Sequence, residues 1–262
     1  MSQAGSQSFL TRQLLRSEFP RAEFVDCPGG SLVVDDSVWI GLWQPEAVAD
    51  PEALVKQAKL FSKERELALA GALLLADPAK ASSPAIEALE EALYIYGYPR
   101  VKGLNRGGPD IVQVLPNSPL LQPKPRLIFE PAAQDSDAVQ RLMALSLQTA
   151  DRITGPGWNR RKSWIEQAEP YLAYDGTVPV GLLSYLPGEL IGRVVMLIVD
   201  EAQRSKGVGR ELLTHAQTLG TQAGALFTTV WNYRDGRLRY YIGKQGFSEQ
   251  MSVLYFQAGT PE

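Results

Sequence analysis

Residues 194–213 constrain this chain more than any other segment. An unbroken apolar run, Val194-Val195-Met196-Leu197-Ile198-Val199, precedes Gln203-Arg204-Ser205-Lys206-Gly207-Val208-Gly209-Arg210-Glu211-Leu212-Leu213. The run reads as a buried strand, the two glycines as a tight loop, and Leu212, Leu213, Ala216 and Leu219 recur at helical spacing. A strand, a glycine loop and an amphipathic helix in that order leave backbone N–H groups at the helix start pointing outward. Such a start attracts anions, and a diphosphate is the commonest organic anion that fits. The segment is not a P-loop, because no Gly-Lys-Ser/Thr ends it, and it lacks the third glycine of a dinucleotide fingerprint.

The neighbouring elements narrow the choice. Residues 126–129 read as a short strand, followed by a helix capped at Asp135 or Ser136 that carries Val139, Leu142, Met143 and Leu145. Residues 171–174 and 178–186 form a hairpin through the turn pair Asp175-Gly176. Beyond the glycine loop come a strand over 226–231, a short helix from about Asp235 to Gly243, and a closing strand over 247–256.

Four motifs occur in this order: Arg126-Leu127-Ile128-Phe129, Asp175-Gly176 with Val180-Gly181, the loop at 203–209, and Tyr240-Tyr241-Ile242-Gly243-Lys244-Gln245-Gly246-Phe247. Together they resemble the GNAT family of acyl-CoA-dependent N-acyltransferases over residues 126–257. The resemblance implies an α/β (α+β) fold, a mixed and mostly antiparallel sheet flanked by helices with splayed central strands. It also implies transfer of an acetyl group from acetyl-CoA to a primary amine by direct attack on the thioester. A non-catalytic acyl-CoA-binding sensor with the same fold is the alternative.

The resemblance assigns roles to residues. The strand end at Leu197, Ile198 and Val199 would face the pantetheine arm. The pyrophosphate would lie on the loop and helix start, Arg204, Ser205, Lys206, Gly207, Val208, Gly209 and Arg210. The Arg204, Lys206 and Arg210 side chains either add charge to that site or form a solvated basic rim. A backbone N–H near Leu197 or Ile198 would serve the developing oxyanion if the strand bulges there. Tyr241, five residues before Gly246, is the candidate acid, set against a cofactor-contacting or core role. Some family members carry a glutamate where this chain has Arg193, which cannot accept a proton. Glu189 is therefore the candidate base, acting through water. The segment 155–164, Gly155-Pro156-Gly157-Trp158-Asn159-Arg160-Arg161-Lys162-Ser163-Trp164, would cover the acceptor.

The first half carries no nucleophile triad, metal cluster or phosphate loop. A hairpin over 31–34 and 38–43 turns at Asp35-Asp36. A helix starting at Asp50-Pro51 runs to Ala76, a second helix opens at Ser83-Pro84 and stops near Gly97, and a strand covers 111–115. Four prolines between Leu115 and Pro125 read as an extended linker. The expected division is an accessory α+β domain over 1–115, a linker over 116–125 and the transferase domain over 126–262. The accessory domain is either a degenerate copy of the same fold or an unrelated module, and a protein-interaction role for it is the third functional reading.

With 26 basic and 29 acidic residues the net charge is −3, which gives nucleic acid no electrostatic footprint. No apolar run approaches a membrane span, and the N-terminus lacks signal-peptide regions, so a cytoplasmic protein without membrane partners is expected. Cys27 is the only cysteine, which excludes intrachain disulfides and cysteine-based metal cages. No metal is expected. His215, the only histidine, falls near the buried stripe of its helix and reads as structural. The acceptor, small molecule or protein, and a homodimeric state are left open.

Overall fold

The computed structural model describes residues 3–19, 21–77, 82–101, 110–117, 125–150, 164–233 and 237–257. Backbone contacts divide the chain into two units. The first comprises Met1–Val112, Tyr233–Asp235 and Glu249–Glu262, and the second Gln113–Asn232 and Gly236–Ser248. The C-terminal residues 249–262 thus group with the first half, whereas the sequence reading put them with the second.

In the first unit, helix α1 (Gln3–Glu18) is followed by β1 (Glu23–Cys27), β2 (Gly30–Val34), β3 (Val38–Leu42), α2 (Pro51–Glu64), β4 (Leu69–Ala76), α3 (Pro84–Ile95) and β5 (Arg100–Val101). The strands lie in the order β1-β2-β3-β4, then β12 (Ser248–Gln257) on the far side of β4, with β5 also on β12. β3 and β4 are parallel, while β1 with β2, β2 with β3, β4 with β12 and β5 with β12 are antiparallel. α2 is the crossover between the parallel strands. Its start is set locally: the Asp50 carboxylate accepts from the Ala53 N–H at 2.9 Å, and Pro51 occupies the first turn. Leu54, Val55 and Ala58 of α2 pack with Ile40, Leu42, Leu74, Leu89, Leu93, Leu254 and Phe256 in one core.

The helix expected to run to Ala76 ends at Glu64, and residues 69–76 are a strand. Glu66 adopts φ 56°, which breaks the helix. The following Leu69-Ala-Gly-Ala-Leu-Leu-Leu-Ala is apolar without a period, the pattern of a central strand covered on both faces as much as of a buried helix. Pairing with β3 and β12 decides for the strand. The hairpin at Asp35-Asp36 and the helix opening at Pro84 form as expected, while α1 and β1 had no counterpart in the sequence reading. The Cys27 thiol is pushed up to about 11 by burial, with Asp26 adding to the shift, and is inert near neutral pH.

The second unit contains β7 (Ile128–Pro131), α4 (Asp137–Ala150), β8 (Glu169–Asp175), β9 (Val178–Leu186), β10 (Ile191–Val199), α5 (Val208–Gln222), β11 (Phe227–Tyr233) and α6 (Arg237–Lys244). Its strand order is β7-β8-β9-β10-β11, followed by β6 (Asp110–Pro116) beside β11. β7 to β10 are antiparallel, and β10 and β11 are parallel, joined by α5. The two sheet faces bury separate sets. Val194 and Val230 pack with Val208, Leu212, Leu213 and Ala216 of α5, while Met196 and Ile198 pack with Val139 and Leu142 of α4 and with Trp164.

Both units follow the same order: helix, three antiparallel strands, crossover helix, parallel strand, helix. No helix among the described residues is long and apolar enough to cross a membrane.

Candidate active site

The site begins where the sheet opens. β10 pairs with β11 from Ile191 to Val194 and then continues to Val199 without it, although β9 follows it along its other edge to Val199. The register against β9 shifts between Val194 and Met196, so Val195 is the extra residue of a bulge. A bulge bends and twists its strand, which accounts for the parting from β11. Backbone groups on the β11 side of residues 195–199 are thereby left facing the gap. The bulge lies two residues before Leu197, slightly upstream of where the sequence reading looked for an oxyanion donor.

The opened strand runs into the glycine loop. Asp200 caps a short 3-10 turn at Glu201–Gln203, its carboxylate accepting from the Ala202 N–H at 3.0 Å. Ser205 and Gly207 then take left-handed backbone angles, φ 65° and 86°, and α5 starts at Val208. Two left-handed residues so close together turn successive N–H groups to one side. Among the described residues, no acceptor faces the N–H groups of residues 205–209, while those of Arg210 and Glu211 bond the Gly207 carbonyl. A Cβ on Gly207 would meet no atom within 4 Å, so the space beside the loop is open at that point. Backbone donors at a helix N-terminus with open space before them suit a pyrophosphate.

The basic side chains of the loop differ in their engagements. Arg204 pairs with Glu201 at 3.0 Å, and the Lys206 ammonium donates to the Gln203 side chain at 3.2 Å. Arg210, with Thr214, Gln217, Lys244 and Gln245, lines an open cleft of about 490 Å³ between α5 and the end of α6. Two cations and two amides around one cleft suit the phosphorylated end of a nucleotide. A further anchor escaped the sequence reading. The Glu211 carboxylate accepts from the backbone N–H groups of Arg126 and Leu127, both at 2.9 Å, and from the Arg126 side chain at 3.3 Å. Arg126 also donates to the Lys206 carbonyl at 3.5 Å, so the entry to β7 holds the loop from behind.

Tyr241 comes to this loop and Glu189 does not. The Tyr241 hydroxyl would lie 3.1 Å from a Cβ on Gly209, in the first turn of α5. Burial pushes the Tyr241 phenol up, Arg210 partly offsets this, and the group is protonated at neutral pH. Its neighbour Tyr240 is 69 % exposed and lies under the Lys244 ammonium, 4.5 Å from the ring centroid. Glu189 sits exposed in the turn before β10, at the opposite end of that strand from the loop. It lies roughly 23 Å along the strand from Met196 at a rise of about 3.3 Å per residue. Of the segment 155–164, residues 155–163 lie outside the described residues, and Trp164 is buried in the core on the α4 face.

Two other side chains stand out. Arg193, in the place where a base was sought, is 2 % exposed. Its guanidinium lies over the rings of Trp164 and Trp231, 4.3 and 5.1 Å from their centroids, in the corner made by these edge-to-face indoles. The preference of arginine for surfaces hides such a residue in sequence. His215 stacks on Phe129 at 4.2 Å and meets the edge of Tyr171 at 5.3 Å, a structural position well inside α5. Among the described residues no group of acidic, histidine or cysteine side chains is arranged to hold a metal.

Comparison with known proteins agrees with this geometry. Residues 139–247 match the model of the acetyltransferase (GNAT) family. A GCN5-related N-acetyltransferase from Kribbella flavida superposes with a TM-score of 0.54 at 15 % identity, covering 97 % of this chain and 96 % of its own. A Drosophila protein superposes with a TM-score of 0.55 at 13 % identity, covering 97 % of this chain and 87 % of its own. At such identities these likenesses speak for the fold alone. No curated protein matches the sequence. The strands that part at a bulge and the glycine loop at the mouth of the gap both fall within residues 139–247, the segment that matches the GNAT acetyltransferase family.

Proposed function

We propose that the second unit transfers the acetyl group of acetyl-CoA to a primary amine. The observation that carries this reading is the alignment of two features on one strand. β10 leaves β11 after Val194, and its free end leads into the left-handed loop whose N–H groups have no acceptor among the described residues. A strand edge for an amide-bearing arm and a cradle for a diphosphate then follow each other along one path.

Acetyl-CoA supplies a thioester, whose carbonyl carbon forms a bond to the acceptor nitrogen as its bond to sulfur breaks. The N–H groups of Ser205, Lys206, Gly207, Val208 and Gly209 hold the pyrophosphate, and the backbone of Leu197, Ile198 and Val199 holds the arm. Arg210 and Lys244 take the distal phosphate in their cleft. Backbone N–H groups next to the Val195 bulge stabilise the negative charge that develops on the carbonyl oxygen. The acceptor nitrogen gives its proton to water. Tyr241 gives its phenolic proton to the departing sulfur and regains one from water, so no proton is gained or lost overall. Glu189 has no part in this scheme.

The first unit supports a second statement. Its β3 and β4 stay paired from Val38 to Leu42 without parting, and the connection that follows has Pro45 and Pro51 where the second unit has glycines. Neither a gap nor a donor-lined hollow results. We infer that it is a degenerate copy of the fold without a donor site.

One observation favours the alternative, an acyl-CoA sensor: Arg193 stands where some relatives carry a glutamate. Thermal unfolding with acetyl-CoA, CoA and ATP, combined with thiol release on a panel of amines, separates the readings. Ligand at about 100 times its dissociation constant adds about 2.7 kcal/mol. Stabilisation by acetyl-CoA and CoA with turnover supports the enzyme, stabilisation without turnover supports the sensor, and no stabilisation overturns both.

A further inference from the structure

The Arg126 side chain, just before β7, meets three elements at once. It donates to the Glu211 carboxylate in the first turn of α5 at 3.3 Å and to the Lys206 carbonyl in the glycine loop at 3.5 Å. It also pairs with Asp175, at the end of β8, at 3.5 Å. The transfer scheme gives this guanidinium no part. The backbone N–H groups of Arg126 and Leu127 bond Glu211 independently of it, so the main chain is anchored there whatever side chain residue 126 carries.

The bond to Lys206 decides a backbone orientation. The Lys206 carbonyl and the Gly207 N–H belong to one trans peptide and therefore point in opposite directions. Arg126 takes the carbonyl on one side, and the N–H is left on the other, where it meets no acceptor among the described residues. The loop sequence alone does not fix this arrangement. Glycine accepts either turn of the preceding peptide at little steric cost, so the Gly207 N–H rotates away unless the carbonyl is held. A cation on the carbonyl also polarises the peptide and strengthens its N–H as a donor. Charge adds a second effect. Without Arg126, the Glu211 and Asp175 carboxylates would stand uncompensated behind a site for an anion.

We propose that Arg126 is a positioning residue for the acyl donor. It locks the Lys206-Gly207 peptide with its N–H toward the diphosphate and offsets the two carboxylates behind the loop, without touching the donor itself. This rests on the acetyltransferase reading above, in which the loop holds the pyrophosphate of acetyl-CoA.

The test compares the wild type with Arg126→Gln and Arg126→Lys in the full chain. It reads the CoA dissociation constant by calorimetry, and transfer to a panel of amines from acetyl-CoA and from S-acetylpantetheine, which has no diphosphate. Arg126→Gln is expected to weaken CoA binding about tenfold, the equivalent of one charge-assisted hydrogen bond. The KM for acetyl-CoA should rise by the same factor with kcat unchanged, and the defect should be absent with S-acetylpantetheine. Arg126→Lys restores the charge without the planar fork and should recover only part of the affinity. It carries the test if the glutamine variant does not fold. Wild-type CoA affinity in the lysine variant overturns the positioning role in favour of charge alone. Equal losses on the two donors, or a lowered kcat, mark a general structural role and overturn it as well. CoA that binds the wild type and Arg126→Gln equally overturns this proposal alone, whereas CoA that fails to bind the wild type overturns the acetyltransferase reading and this proposal with it.

Discussion

The hydroxyl of Tyr241 lies against Gly209, so close that a Cβ there would stand 3.1 Å from it. A phenol is thereby fixed beside the first turn of α5, protonated at neutral pH and next to Arg210. If it delivers a proton to the leaving sulfur, Tyr241→Phe should lower kcat by about 10²-fold, in the usual range for a lost general acid. The dissociation constant for acetyl-CoA should stay within experimental error. A variant that binds the donor weakly but turns over normally at saturation would make Tyr241 a binding contact. Gly209→Val should harm both quantities, because the side chain that has to move is the tyrosine.

Gly207 separates binding from folding. Its φ of 86° is left-handed, so Gly207→Val carries a backbone penalty of about 1–2 kcal/mol. No protein atom lies within 4 Å of the added Cβ, and the new side chain therefore enters the open space assigned to the pyrophosphate. The variant is expected to fold, with unchanged circular dichroism and a slightly lower melting temperature, and to lose its stabilisation by CoA. Retained stabilisation would place the diphosphate elsewhere.

The difference between what sequence revealed and what it hid has physical causes. The strand, loop and helix around Gly207 are specified by residues adjacent in the chain, through turn chemistry and helical periodicity, and they were legible. Residues 69–76 were misassigned because an apolar run covered on both faces has no period to read, and only its partners β3 and β12 decide it. The pairing of β12 with β4 joins residues some 180 positions apart, which no local pattern encodes. Arg193 was passed over as a base because it cannot accept a proton, while its burial between two tryptophans depends on three separate elements. Glu189 was chosen for nearness in sequence, yet a strand carries neighbours apart by about 3.3 Å per residue.

Glu211 ties α5 to the entry of β7 through the N–H groups of Arg126 and Leu127. Glu211→Ala removes the acceptor of two backbone donors, one of them on the buried Leu127. A loss of about 1–3 kcal/mol is expected in urea unfolding. Glu211→Gln, which keeps one acceptor oxygen, should lose less. Equal losses would mean that charge, through Arg126, matters more than the backbone bonds.

His215 sets an acid sensitivity. Burial against Phe129 and Tyr171 pushes its imidazole down to about 4, from an ordinary 6.5. Between those values the unfolded chain binds a proton that the folded chain does not. This contribution to stability is therefore complete above about pH 6.5 and is lost as pH falls toward 4. The charged group near this side is Glu169, which accepts from the Tyr171 hydroxyl at 2.8 Å. Melting temperatures from pH 7 to 4 should fall less steeply in His215→Leu than in the wild type. Parallel curves would assign the acid sensitivity to carboxylates alone.

The C-terminal strand offers the sharpest test of how the first unit is built. β12 pairs with β4 from Ser252↔Ala76 to Gln257↔Gly71 and buries Leu254 and Phe256 among residues of the first half. Truncation after Ser248 removes the neighbour of β4 on the side away from β3, exposing a long apolar edge, and opens the core at both large side chains. Loss of a buried leucine or phenylalanine alone costs about 2–5 kcal/mol, comparable with the whole stability of a small domain. The truncated chain is expected to lose the protection from proteolysis of residues 23–76. Leu254→Ala, which leaves the strand in place, should reduce that protection without abolishing it. A truncated chain whose first unit stays protected would show that β1 to β4 form a self-sufficient core, and the sheet pairing at β12 would then be incidental to the stability of the unit.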